Sequence, residues 1–170
     1  MKLLIITLML LTNVFSSEYN NSKVGVKPVD NEVYKNECSA CHFDYQAGLL
    51  PSKSWKKIMQ NLENHFGTDA SLEKEDFQTI SEYLEKNSAQ NAMNYKRSRR
   101  IVNSIASNET PESITKVRYI IKKHNKIRPT LITQKEVIGL FNCTACHTTA
   151  QKGIYSERDI NIPNFGRWED

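Results

Sequence analysis

The chain has little of what a disulfide-stapled, membrane-spanning or sheet-rich protein is built from. Only four of its 170 residues are cysteine, and they fall as two close pairs about a hundred residues apart, Cys38/Cys41 and Cys143/Cys146. If each pair has its own task, none is left for a disulfide framework. No Gly-flanked β-branched runs are present to build a βαβ unit, so the setting that a thioredoxin-like dithiol needs is missing. Beyond the first residues, no stretch is long and apolar enough to span a bilayer. Lys and Arg exceed Asp and Glu by only 23 to 19, and the net balance is not a nucleic-acid signal. With 39% hydrophobic residues, the length suits one domain or two small ones, and two halves could bury only small cores unaided. Histidine is as scarce as cysteine, at four residues.

The chain opens Met1-Lys2, followed by an apolar run from Leu3 to Leu11 and a stretch ending Val14-Phe15-Ser16-Ser17. This pattern predicts a secretory signal peptide over residues 1–16, with Val14 and Ser16 at the small-residue positions before a cut between Ser16 and Ser17. The alternative, an uncleaved anchor, is weakened by Asn13 and by the shortness of the run. Removing Lys2 with the signal takes the formal charge from +4 to +3.

The cysteine pairs belong to a repeated pattern, Cys38-Ser39-Ala40-Cys41-His42 and Cys143-Thr144-Ala145-Cys146-His147. Cys-x-x-Cys-His reads as a c-type haem attachment site: two thiols three positions apart reach the two vinyl groups of one porphyrin, and the adjacent imidazole falls under the iron. Two rivals exist. A zinc site could draw on Cys38, Cys41, Cys143 and Cys146, but zinc-ribbon pairs lie far closer in sequence. Neither zinc nor a redox dithiol explains a histidine directly after both pairs. Covalent haem attachment takes place outside the bacterial inner membrane, so export and motif agree, and the expected location is the periplasm. Four propionates on two haems would roughly cancel the remaining positive charge.

The expected fold is mainly α, with two small helical c-type haem domains in one chain. Residues 17–30 read as an exposed lead-in, 31–90 as the first haem domain, 91–107 as a connecting segment and 108–170 as the second haem domain. In the first, a short helix over 31–42 turns Val33 and Tyr34 inward, and Gly48 to Pro51 form a loop over the haem edge. A helix over 54–66 carries Trp55, Ile58, Met59, Leu62 and Phe66 at helical spacing, with Gly67 ending it and His65 bordering the apolar side. Ser71 is the expected cap of the next helix, whose buried side is Phe77, Ile80 and Leu84, closing near Asn87. The basic cluster Lys96-Arg97-Ser98-Arg99-Arg100 reads as a solvated run, or as a docking patch for an acidic partner. In the second domain, Thr110-Pro111 predicts a helix to about Asn125, with His124 at the end of the stripe Ile114, Val117, Ile121. Pro129 blocks its continuation. Thr133 and Glu136 predict a capping box before Val137, Leu140 and Phe141.

The first half resembles the dihaem cytochrome c family of bacterial periplasms. The matching residues are Glu37-Cys38 through His42, Leu49-Leu50-Pro51, Ser54-Trp55, Met59, and His65-Phe66-Gly67 with Asp69-Ala70-Ser71-Leu72. After the second motif, Ala150, Gly153, Tyr155, Glu157, Ile160 and Ile162-Pro163 are similar to the same family, while Asn91 to Lys126 matches only at Thr110-Pro111 and Lys123-His124. The resemblance implies small periplasmic cytochromes as partners and, upstream, a membrane-bound b-type cytochrome or quinol-oxidising complex.

The histidine count sharpens the expectation. Two of the four follow the cysteine pairs, and two, His65 and His124, border apolar helix faces, one in each half. If His65 joins His42 and His124 joins His147, each iron is six-coordinate and closed to substrate, and the protein is an electron carrier rather than an enzyme. Met59 is an alternative ligand, read here as core filler. A haem enzyme or gas sensor with one open iron is the competing reading, and a dihaem peroxidase is disfavoured because the chain is short for that class.

Overall fold

A computed structural model describes residues 24–168. The expected signal peptide and residues 17–23 of the lead-in lie outside the described residues. The described chain is mainly helical: α1 (Glu32–Cys38), α2 (Ser52–Met59), α3 (Lys74–Lys86), α4 (Lys96–Val102), α5 (Arg118–His124) and α6 (Pro129–Ile132), joined by 3₁₀ turns. Two short strands, β1 (Asn161–Ile162) and β2 (Gly166–Arg167), pair antiparallel near the C-terminal end.

Helix α1 starts where Asn31 Oδ1 accepts the Tyr34 N–H at 2.8 Å, with Glu32 in its positive first turn. It ends at Cys38, so Cys41 and His42 lie in the turn beyond it. Buried Tyr34 donates its hydroxyl to Tyr45 O at 2.7 Å and lies against the Tyr83 ring of α3. On α2, the indole of Trp55 donates to Ala47 O at 2.7 Å, pinning the loop before the helix. Met59 is buried with Trp55 in the core cluster, which agrees with its reading as filler.

The helix expected over 54–66 stops at Met59. A 3₁₀ turn spans Leu62–Asn64, His65 is extended, and Phe66 and Gly67 both have positive φ, at 51° and 89°. These left-handed residues reverse the chain, and two backbone hydrogen bonds between His65 and Thr68 close the loop. Phe66, expected in the core, is 69% exposed. Ser71 does not cap α3: its backbone N–H bonds to Asp69 Oδ1, and the N-cap position belongs to Glu73. Helix α3 buries Ile80, Tyr83 and Leu84 and leaves Phe77 near its exposed edge.

Residues 91–107 are not a solvated connection. They contain α4, whose Ser98 and Ile101 are fully buried three positions apart on one face while Arg99 and Arg100 point outward. Gly48 permits the close approach, since a Cβ there would lie 2.6 Å from Ser98 Oγ and 2.9 Å from Val26 Cγ1. Nor are residues 24–29 an exposed lead-in. Val26 is fully buried, and the N–H groups of Gly25 and Val26 both donate to Gly153 O. Gly153 has φ 66°, and a Cβ there would fall 2.0 Å from Val26 O. The core cluster runs from Val26 to Val117, so the two halves share one packed interior across the expected boundary.

The second half also departs from its expected helices. Thr110-Pro111 opens no helix; a 3₁₀ turn at Ile114–Lys116 and an extended Val117 precede α5. Pro129 starts α6 at its first turn, where a missing N–H is harmless, and Thr133 sits at that helix's C-terminal end. The Thr133/Glu136 capping box therefore does not form. Ile138 has φ 69°, so residues 137–141 turn instead of coiling: Val137 is buried, while Ile138 and Phe141 are exposed.

If α4 is a core helix, Ile101→Ala should lower the stability of the haem-loaded protein to chemical denaturation by about 2–5 kcal/mol, whereas Arg100→Ala should stay within about 0.5 kcal/mol. Equal tolerance of both would return the segment to a linker.

Candidate haem sites

The sequence places two histidines beside cysteines, and the fold brings a distant histidine to each. His42 and His65 face one another with ring centroids 6.1 Å apart, and His124 and His147 with centroids 6.0 Å apart. An imidazole nitrogen lies about 1.1 Å from its ring centre and a metal–imidazole bond is ~2.0–2.1 Å long, so two imidazoles trans on one metal ion have centroids about 6.3 Å apart. Both pairs fit a shared iron.

Local structure sets the donor atoms. At His42, Nδ1 lies 2.7 Å from Phe43 O, and a carbonyl can only accept, so Nδ1 carries the proton and Nε2 keeps its lone pair. His124 ends α5 and repeats the device, with Nδ1 donating to Ile120 O one turn back at 2.7 Å. His65 is held by its closed loop instead of by the helix face expected from the sequence. Burial, followed by the neighbouring His42, holds the His65 imidazole below its usual range. His147 is pushed down to about 4, first by burial, then by His124 and Arg97. Both are neutral at pH 7, the form that ligates. The Nδ1 of His147 is buried and has no hydrogen-bond partner, so its ring is held by packing.

Each motif forms a compact turn. The second is a 3₁₀ turn over Cys143–Ala145, and the His147 N–H returns to Cys143 O at 2.9 Å, setting thiol and imidazole on one side. None of the four cysteines is in a disulfide, so both pairs are available for thioether attachment. Before attachment, burial pushes the Cys38 thiol up to about 11 and the Cys143 thiol up to about 12. No group of three or more metal-ligating His, Cys, Asp or Glu side chains gathers among the described residues, so the four-cysteine zinc site has no geometry here. Between His124 and His147 opens a largely apolar cleft with about 1240 Å³ of empty space, partly open to solvent, walled by Leu49, Ile101, Ile120 and Val137. Its apolar walls, with Cys143, Cys146 and both imidazoles on the same lining, suit a flat, largely apolar group such as a porphyrin.

The two sites are tied together by Tyr45 and Gln46, which sequence reasoning did not single out, and by Tyr155, named there only as a family match. The Tyr45 ring lies 5.0 Å from that of His42, and its hydroxyl donates to Phe141 O just before the second motif. Fully buried Gln46 donates through Nε2 to Ala150 O at 2.7 Å and accepts the Tyr155 hydroxyl at 2.6 Å. Tyr155 in turn packs edge-on to His147, with centroids 5.3 Å apart. No periodicity marks Tyr45 or Gln46; their position directly after the first motif was the available signal. Glu157 pairs with Lys123 at 3.1 Å, tying the C-terminal segment to α5.

A mainly helical chain with two Cys/His constellations of this geometry defines a multihaem cytochrome. The dihaem cytochrome c family model matches residues 34–155, and the chain belongs to that family and carries two c-type haems. It is similar to the dihaem cytochrome c from Rhodobacter sphaeroides, at 33% identity and TM-score 0.68, over 76% of this chain and all of that one. It is also similar to a dihaem c-type cytochrome from Shewanella baltica, at 37% identity and TM-score 0.67, over 82% of this chain and 98% of that one. No curated protein matches significantly. Haem-based electron transfer follows from the family.

Because Gln46 Oε1 depends on Tyr155, Tyr155→Phe should destabilise the loaded protein by ~1–3 kcal/mol through an unsatisfied buried acceptor while leaving two haems bound. Thermal unfolding and intact mass together check this; unchanged stability would remove the bridge from the account.

Proposed function

We propose that this chain is a periplasmic electron carrier in which Cys38 and Cys41 hold one haem, Cys143 and Cys146 hold the other, and both irons are bis-histidine ligated, by His42 with His65 and by His124 with His147. The matching separation of the two imidazole pairs carries this reading. The haem iron supplies a one-electron couple. The protein's own part is to fix the ligands and exclude others: backbone carbonyls hold the Nδ1 protons of His42 and His124, leaving Nε2 to ligate, and the closed 65–68 loop and the end of α5 keep the distal rings in place. With no coordination position open, electrons can pass and substrates cannot bind. The partners in this reading are a small periplasmic cytochrome and, upstream, a membrane-bound b-type cytochrome or quinol-oxidising complex. Nucleic acid has no place in this reading.

His65→Ala should open only the iron of the first motif and His124→Ala only that of the second. Each should give a high-spin fraction and binding of added imidazole or cyanide at one haem, assigned by NMR. If His65→Ala opens the haem held by Cys143 and Cys146, the pairing is wrong, and if neither variant changes spin state, the bis-histidine ligation fails.

Docking of an acidic partner on the exposed side of α4 would be electrostatic. Reversing the charges of Arg99 and Arg100 should slow electron transfer to that partner at low salt and matter less at high salt. A rate unchanged at both salts would leave this face outside the docking surface.

A further inference from the structure

Arg97 was part of the basic cluster read as solvated, but the fold turns it inward. It stands on the wall of the cleft that holds His124 and His147. One terminal nitrogen of its guanidinium donates to the Tyr119 hydroxyl and the other to Tyr155 O at 2.5 Å, with the guanidinium carbon 6.0 Å over the Tyr119 ring. Its stem is packed on Gly25, where a Cβ would fall 2.7 Å from Arg97 Cγ, and its backbone N–H bonds to Gly25 O at 2.8 Å. The buried neighbours Ser98 and Ile101 hold the helix behind it. The side chain is therefore fixed in direction, aimed into a largely apolar space.

What it lacks is a counter-charge. None of the ion pairs among the described residues uses Arg97; Lys123, which also lines the cleft, pairs with Glu157, and Arg118 pairs with Glu109. A guanidinium does not deprotonate, so it cannot escape a half-buried site by becoming neutral. A phenol and a carbonyl supply dipoles but no charge, and a partly buried cation without an anion is unfavourable. Two of its five N–H donors are accounted for by the tyrosine contacts, leaving donors for a further acceptor. The chemistry that would complete the site is a carboxylate inside the cleft, and a porphyrin of the c type carries two.

We propose that Arg97 binds a propionate carboxylate of the haem carried by the second motif and, as a fixed positive charge near that iron, raises its midpoint potential. This rests on the reading of Cys143, Cys146 and His147 as a haem site. The sign follows from charge: reduction removes one positive charge from the iron, so a nearby cation favours the reduced form, and its removal leaves both the propionate and the oxidised iron less opposed. Arg97 is thus a positioning residue for the haem and does not touch the iron.

The test is a spectroelectrochemical titration of the two-haem protein with Arg97→Gln and Arg97→Lys, combined with resonance Raman of the propionate bending band. Arg97→Gln should shift one of the two midpoint potentials to a lower value, that of the second-motif haem as assigned by NMR, and should move the propionate band. Arg97→Lys, which keeps the charge but cannot span Tyr119 and Tyr155 together, should retain most of the potential. If both variants shift the potential alike, the role is structural and the proposal falls; it falls equally if neither potential moves in a two-haem Arg97→Gln protein, or if only the first haem's does. Should Arg97→Gln fail to mature, the Raman band of Arg97→Lys decides: a moved band supports the contact and an unmoved one overturns it. Failure of the underlying haem reading is distinct, since it would show in the unmutated protein as a mass increase below two haems.

Discussion

Each attachment motif supplies two thiols and one imidazole, and the proposed bis-histidine ligation needs a second imidazole that the motif cannot provide. The fold brings one distant imidazole close to each motif histidine. His65 follows His42 by 23 positions and His124 precedes His147 by 23, so each loop is short enough to close at modest entropic expense. Different local devices finish the job. In the first half, the left-handed Phe66 and Gly67 close a four-residue loop under His65. In the second, the last turn of α5 presents His124 with its Nδ1 tied to Ile120 O. The closeness of the two centroid separations, reached by unlike backbone routes, points to a common geometric demand at both sites.

The two halves meet that demand jointly. The Gln46 side chain of the first half bonds Ala150 O and the Tyr155 hydroxyl of the second, and Gly153 must approach Val26 so closely that no side chain fits. Leu49 and Ile101, members of the continuous core, also wall the second cleft. A small chain with modest apolar content could not build two independent cores, and sharing one interior between two porphyrin sites answers that shortage. It also fixes the sites relative to one another through Tyr45, which touches His42 at one end and Phe141 O at the other.

The chemistry was far more legible in the sequence than the secondary structure that delivers it. The attachment motifs could be read because haem attachment demands fixed residue types at fixed spacing, and the expected approach of His65 to His42 and of His124 to His147 is the one the structure shows. Helix bounds could not be read. Seven- and eight-residue helices such as α2, α4 and α5 span about two turns, too few to show a periodicity, and the apolar residues past Met59 looked helical although the helix stops there, a 3₁₀ turn follows, and Phe66 and Gly67 take positive φ just after His65. Helix α4 was misread for a physical reason: its buried face is Ser98 and Ile101, so small-residue packing against Gly48 left a polar and basic signature in the sequence. Arg97 and Gln46 were missed likewise, since their roles depend on partners more than twenty residues away.

The claim on which the account turns is that both irons are closed by histidine. Electron paramagnetic resonance of the oxidised, matured protein, taken with its haem count, tests this most directly. Two haems per chain with only low-spin ferric signals is the result predicted; a substantial high-spin signal at neutral pH would mean that one iron is open and would contradict it.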